Sequence, residues 1–170
     1  MLKERGVAVH LGHRVVEVRP GKVICEDACE VPLDEVLWAT EAGPAPWLRE
    51  SGLDVDARGF VSVRDTLESA SHPGVFAAGD AASVIGQPRE KAGVFAVRQG
   101  KPLEQNLRRA LLSRPLRSIH LQKRFLSIIS TGDKYAVASR GSWSVEGRWV
   151  WRWKDWIDRR FVKKYRIAPE

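Results

Sequence analysis

His72-Pro73-Gly74-Val75-Phe76-Ala77-Ala78-Gly79-Asp80-Ala81-Ala82, HPGVFAAGDAA, is the stretch on which the fold assignment turns. After a Pro-Gly turn signal, GVFAA has the composition of a short strand that dwindles to small residues before Gly79 and an acid. Small side chains at a strand's end let a ligand or a second backbone come close. An aspartate at a strand's carboxyl end stands where open α/β sheets bind ligands. A carboxylate accepting a hydrogen bond from a ligand hydroxyl contributes about 1.5–3 kcal/mol. Taken alone, the segment allows two roles for Asp80: ligand to a polyol, or turn and cap for the next helix.

Upstream, LKERG reads as the end of a helix closed by Gly6, since glycine accepts the left-handed conformation at a helix stop. VAVHL (residues 7–11) and RVVEV (14–18) alternate as strands do. KVIC (22–25) and EVPL (30–33) form a hairpin, and EVLWAT (35–40) has a buried-strand pattern. EAGPAPW is a crossover or linker by composition, followed by a short helical turn at 47–52. GFVSV (59–63) is another strand. Downstream, Val94, Val97, Leu103, Leu107 and Leu111 recur at helical spacing within 91–112, with Pro102 set to kink or restart the helix. FLSIIS, YAVAS and SWSV suggest an antiparallel meander, and WVWRWKDWIDRRFVKKY (149–165) an amphipathic helix with Trp149, Trp153, Trp156, Ile157 and Phe161 on one face.

The bulk properties set limits. The chain has 170 residues, 44% of them hydrophobic and 29% charged, a composition of ordered globular protein, not of a disordered tail. No apolar run approaches the roughly 18 residues of a bilayer span, and the N-terminus lacks the pattern of a secretory leader. The net charge is +7, and the residues from Arg140 onward contribute a large part of it, which suits an anionic lipid, nucleic acid or an acidic protein surface; charge alone does not choose among them, and no nucleic-acid partner is expected. The two cysteines, Cys25 and Cys29, lie in CEDAC between two strand-like runs. That context favours a structural hairpin turn over a catalytic dithiol.

The run DTLESASHPGVFAAGDAA resembles the second flavin-binding motif of the two-dinucleotide-domain flavoproteins, the pyridine nucleotide-disulfide oxidoreductase superfamily. ERGVAVHLGHRVVEV resembles a strand pair of that family's NAD(P)-binding domain, and SGLDVDARGFVSVRDTL the run before its flavin strand. LWATEAGPAPWL resembles the crossover back to its FAD domain, with Glu41 standing where glycine is usual. The resemblance implies an α/β, Rossmann-like FAD/NAD(P)-binding fold with a small α+β C-terminal region. It divides the chain into residues 1–44 of an NAD(P)-binding domain, 45–113 of an FAD-binding domain and 114–170 of a C-terminal sheet and helix. It also implies FAD as cofactor and NAD(P)H as cosubstrate, with Asp80 bonding a ribityl hydroxyl and Gly79 and Ala81 as close-approach positions. The N-terminus of the helix that follows would point at the flavin or pyrophosphate.

KAGVFAVRQGKPLEQNLRRAL is similar to the helix over the flavin in type II NADH dehydrogenase-like proteins. The likeness carries flavin contacts onto Ala96, Arg98 and Gln99, with Gly100 beside them. Val94 and Arg98 replace the family's usual glutamines. A cationic Arg98 would stabilise reduced, anionic flavin or bind an anionic acceptor; the alternative is a solvated helix arginine. The C-terminal stretch from ISTGDKYAVASRG to GRWVWRWKDWIDRRF also resembles the module fused ahead of selenide, water dikinase. The resemblance implies a cytoplasmic oxidoreductase passing electrons from NAD(P)H through FAD to a quinone or small acceptor. Its basic, Trp-rich helix would face the inner membrane surface, a second subunit or the preceding sheet. Nowhere in the sequence is there a GxGxxG turn, which holds a dinucleotide pyrophosphate. The expected partner is therefore an N-terminal FAD/NAD(P)-binding portion, without which the chain is expected to be inactive; a non-catalytic module is the alternative.

Overall fold

In a computed structural model the described residues are 2–40, 43–122 and 124–166. The chain divides into two compact units, Met1–Glu41 and Ala42–Glu170.

The first unit opens on a single 3-10 turn, Lys3–Arg5, closed by Gly6 in the left-handed region at φ 74°. β1 (Val15–Arg19), β2 (Lys22–Cys25) and β3 (Glu30–Pro32) make an antiparallel sheet in sequence order. β2 and β3 close as the sequence predicts, because only four residues, 26–29, separate them. Two expected strands do not form: residues 7–11 and 35–40 carry no strand pairing. Both are apolar enough for a sheet interior, yet Leu37 is 91% exposed, and Val9, Leu11 and Trp38 are exposed too. A strand needs a neighbour to take its backbone hydrogen bonds, and no described strand lies beside either segment. Glu41, the departure noted in the crossover, lies outside the described residues.

The second unit holds two hydrophobic centres. One is built on β4 (Val61–Val63) and β5 (Ala82–Val84), which pair in parallel. Val61 and Val63 alternate inward and meet Leu48 of α1 (Trp47–Glu50), Leu67, Ala82 and Val84. A parallel pair is what an α/β organisation requires. The expected strand at 74–78 is reduced to one bridge between Phe76 and Glu68. Its backbone hugs the preceding loop instead, with Ser69 N–H donating to Val75 C=O at 2.7 Å and Ala77 N–H to Leu67 C=O at 3.1 Å.

α2 (Gly93–Leu111) covers this centre and runs unbroken through Pro102, where a kink or restart was expected. Its inward face is also not the stripe that the apolar spacing indicated. Phe95, Gln99 and Asn106 are buried and Leu103 packs on the core, while Val97, Leu107 and Leu111 face out. The helical period fits two adjacent stripes. The one with two polar side chains won because both find backbone partners across the interface. Asn106 Nδ2 donates to Thr66 C=O at 2.9 Å and Arg117 C=O at 2.8 Å, and its Oδ1 accepts Arg117 N–H at 2.9 Å.

The other centre is the expected C-terminal meander, β6 (Ser127–Ser130), β7 (Ala136–Arg140) and β8 (Trp143–Gly147), with α3 (Arg148–Tyr165) laid on it. Ala136 and Ala138 are fully buried on β7. Their methyl side chains let the helix approach closely, and Val150 packs there with Trp151 and Trp153 at the edge. The tryptophan stripe is thereby split: Trp153 packs on the sheet and Ile157 is half-buried, while Trp149, Trp156 and Phe161 stay exposed.

Candidate functional site

Gly79, Asp80 and Ala81 form one 3-10 turn between the 74–78 segment and β5. The long helix does not follow directly, as the sequence resemblance implied; β5 and a loop intervene before α2 begins at Gly93. Tertiary packing nonetheless sets the first half of α2 against the turn. Gly79 sits at φ +65°, and a methyl built on it would lie 3.2 Å from Cβ of Ala96. That contact explains two small residues at once: glycine supplies the left-handed backbone, and alanine supplies the room. Gln99 is 4% exposed, and its Oε1 accepts the N–H of Gly79 at 2.5 Å. The carboxamide thus fixes the turn from beneath, while Asp80 and Ala81 remain exposed above it.

Of the residues singled out from the sequence, Gly79, Asp80, Ala96 and Gln99 line one small polar hollow of about 30 Å³. Asp80 also lines, with Ala81, an open apolar cleft of about 590 Å³ whose walls include Trp47, Phe60 and Phe76. Its size falls in the range of ligand clefts. Arg98 does not join the group; it points out from α2 and donates to the side-chain oxygen of Gln122.

Two residues that the sequence reading gave no role complete the setting. Asp56 accepts the N–H groups of Arg58 at 2.9 Å and Phe60 at 3.0 Å, an Asx turn whose signal was the DARG sequence. Burial pushes its carboxyl up, but the hydrogen bonds from Phe60, Ser83 and Arg58 and the charge of Lys91 outweigh that and hold it below the usual range. Lys91 donates from Nζ to Ala82 C=O at 2.5 Å and stands 3.9 Å above the ring centre of Phe60. Burial pulls its ammonium down from the ordinary lysine value, against the opposing pull of Asp56 and Asp80. Lys91 and Arg89, both half-buried cations, therefore share the hollow with Asp80. Beyond it the first turn of α2 carries no side-chain cap and no acid, so its leading amides present partial positive charge.

Residues 1–100 match the model of the pyridine nucleotide-disulphide oxidoreductase family. The chain belongs to that family. Among relatives, it is 28% identical over 120 residues to a type II NADH:quinone oxidoreductase of Haemophilus influenzae, covering 61% of this chain and 27% of that protein. It is 32% identical over 71 residues to the mitochondrial internal alternative NAD(P)H-ubiquinone oxidoreductase A1 of Arabidopsis thaliana, covering 42% and 14% of the two chains. The Solanum tuberosum protein of the same name is 26% identical over 140 residues, covering 79% and 27%. Among solved structures, a NAD-dependent persulfide reductase from A. fulgidus superposes with a TM-score of 0.58 at 21% identity, over 82% of this chain and 26% of that one; this likeness concerns the fold. The α/β fold expected from the sequence is thus that of the pyridine nucleotide-disulphide oxidoreductases. The aligned part is about a quarter of the Haemophilus and potato proteins and less of the Arabidopsis one.

Proposed function

We propose that this oxidoreductase chain forms the flavin-facing side of an FAD-dependent NAD(P)H oxidoreductase that delivers electrons to a quinone or small acceptor. The observation that carries the proposal is the placement of Asp80. Its carboxylate is exposed between an apolar cleft and a polar hollow, on a turn whose Gly79 and Ala81 leave the backbone open to close approach. The fit to a flavin is chemical. A polyol hydroxyl suits Asp80, a flat apolar ring suits the cleft walls, and an electron-rich ring edge suits Lys91 and the uncapped start of α2. When bound, FAD supplies the hydride and electron chemistry; the residues here hold and orient it. Gln99 keeps the turn in place, and Lys91 adds positive charge beside it.

The exposed apolar residues of residues 7–11 and 35–40 in the first unit, and Trp47, 61% exposed at the cleft in the second, support a further N-terminal FAD/NAD(P)-binding portion as the partner that covers them. Titration of flavin fluorescence tests the reading. The isolated chain is expected to bind FAD weakly, and a polypeptide that also supplies the two GxGxxG turns to bind it tightly. There Asp80→Ala should weaken binding by about 10–100-fold, the equivalent of one charge-assisted hydrogen bond. Unchanged affinity in D80A overturns the role assigned to Asp80.

A second reading concerns α3. Trp149, Trp156 and Phe161 are exposed beside Arg152, Arg159, Arg160 and Lys163, and no helix among the described residues is long and apolar enough to cross a membrane. We propose that this face rests on an anionic lipid surface, the inner face of the cell membrane. Flotation with phosphatidylserine vesicles that is lost at high salt supports it. Salt-resistant dimers without flotation point to a second subunit instead.

A further inference from the structure

The sequence favours a structural turn at CEDAC over a dithiol site, and the register of the hairpin bears on that choice. Lys22 lies opposite Pro32, Val23 opposite Val31 and Ile24 opposite Glu30. The next pair in that series is Cys25 and Cys29, joined by the Cys25 N–H donating to Cys29 C=O at 2.9 Å. Residues facing each other across a hydrogen-bonded antiparallel pair stand about 5.5 Å apart at Cα, and the Cα spacing of disulfides centres on about 5.5–6 Å. Both thiols project to one face of the hairpin, because opposite residues share a side of the sheet. Cys25 is 4% exposed and Cys29 is half-buried.

The turn holds the pairing. Ala28 N–H donates to Cys25 C=O at 3.0 Å, and Ala28 takes φ 61°, the left-handed position that closes a three-residue hairpin loop. Asp27 accepts the N–H of Cys29 at 3.4 Å on one oxygen and meets Nδ1 of His13 at 2.6 Å on the other. Among the described residues no group of three or more His, Cys, Asp or Glu is placed to hold a metal ion.

We propose that Cys25 and Cys29 form a reversible dithiol–disulfide site that exchanges with small-molecule disulfides, with Cys29 as the attacking thiol. Cys29, as thiolate, attacks one sulfur of the small disulfide. That S–S bond breaks, one small thiolate leaves and takes up a proton, and a mixed disulfide stands on Cys29. Cys25 then loses its proton and attacks the sulfur of Cys29, and the second small thiol departs. The hairpin gives up two electrons and two protons; the small disulfide becomes two thiols. The order of attack follows from exposure. Burial first, then the nearness of Cys29 and Asp27, pushes the Cys25 thiol up, which keeps it protonated until the partner sulfur is beside it.

The test uses the full chain and oxidised glutathione, followed by intact mass and thiol titration. The folded wild type is expected to lose both titratable thiols and two hydrogens of mass, with no glutathione retained. Cys25→Ser should trap glutathione on Cys29, and Cys29→Ser should react at least about tenfold more slowly than the wild type. Because a serine variant can misfold, the closure step is also timed in the wild type with and without urea. Unfolding should slow closure about tenfold, since the paired strands raise the effective concentration of one sulfur at the other. Untouched thiols, glutathione retained on the wild type, a fast C29S, or closure as rapid in urea as in the fold each overturn the proposal.

Discussion

At Gly79 the backbone sits at φ +65° and the nearest neighbour of an added methyl would be Cβ of Ala96 at 3.2 Å. Gly79→Ala therefore meets a left-handed backbone penalty and a tight contact together. It should lower unfolding stability by about 1–3 kcal/mol, read from urea melts. Asn106 gives a second prediction at this scale. It is fully buried, and three backbone groups depend on it; Asn106→Ala leaves them unpaired and should cost about 2–3 kcal/mol. Asp80 behaves oppositely. Its side chain is exposed on the turn, so D80A should change the stability of the isolated chain by less than about 0.5 kcal/mol. Asp80 and Gly79 were legible in the sequence because small residues and an acid after a strand-like run have a local chemical meaning. Asn106 was not, because its polar side chain looks solvent-directed until the loop at Thr66 and the chain at Arg117 fold over it.

Between elements, the Asp56 loop and the start of α2 are tied by charge. The Asp56 carboxyl is held below its usual range, so folding favours its ionised form. That stability is present above the ordinary aspartate value of about 3.9 and is lost as pH falls through the depressed folded value. Lys91 has the opposite effect, because its pKa is lowered by burial. The unfolded chain holds that proton more tightly, so stability should rise as pH climbs through the folded value toward the ordinary one near 10.4. Thermal melts across pH check both: D56N should flatten the acid limb, and K91M the alkaline one. On α3 the sheet-facing side carries the stability. Val150 is fully buried on Ala136 and Ala138, and V150A should cost about 2 kcal/mol, whereas W156A, on the exposed face, should cost under about 0.5 kcal/mol. The sequence announced both long helices by their spacing but misjudged their inner faces. A period of 3.6 defines a helix, and only the opposing surface chooses which stripe it buries.

For the molecule as a whole, hairpins and the C-terminal meander were readable because their partners are neighbours in sequence. β2 and β3 meet across 26–29, and β6, β7 and β8 pair in order. The family was readable too, since HPGVFAAGDAA and its flanks carry it without any fold. The segments at 7–11, 35–40 and 74–78 were read as strands and are not, because strand composition does not supply a strand to pair with. Val9, Leu11, Leu37, Trp38 and Val75 in these segments, and Trp47 beside the cleft, stay exposed. By itself, then, the sequence determined the family and every element closed by short-range bonds. The tertiary structure alone decided which faces of α2 and α3 turn inward. It brought Lys91 to Asp80's hollow and within the field of Asp56, sent Arg98 away from the hollow, and set Cys25 opposite Cys29. The division has one physical cause. Backbone propensity and side-chain period act within a few residues, whereas burial, hydrogen-bond partners and charge pairs are settled by what the chain brings back from far along its length.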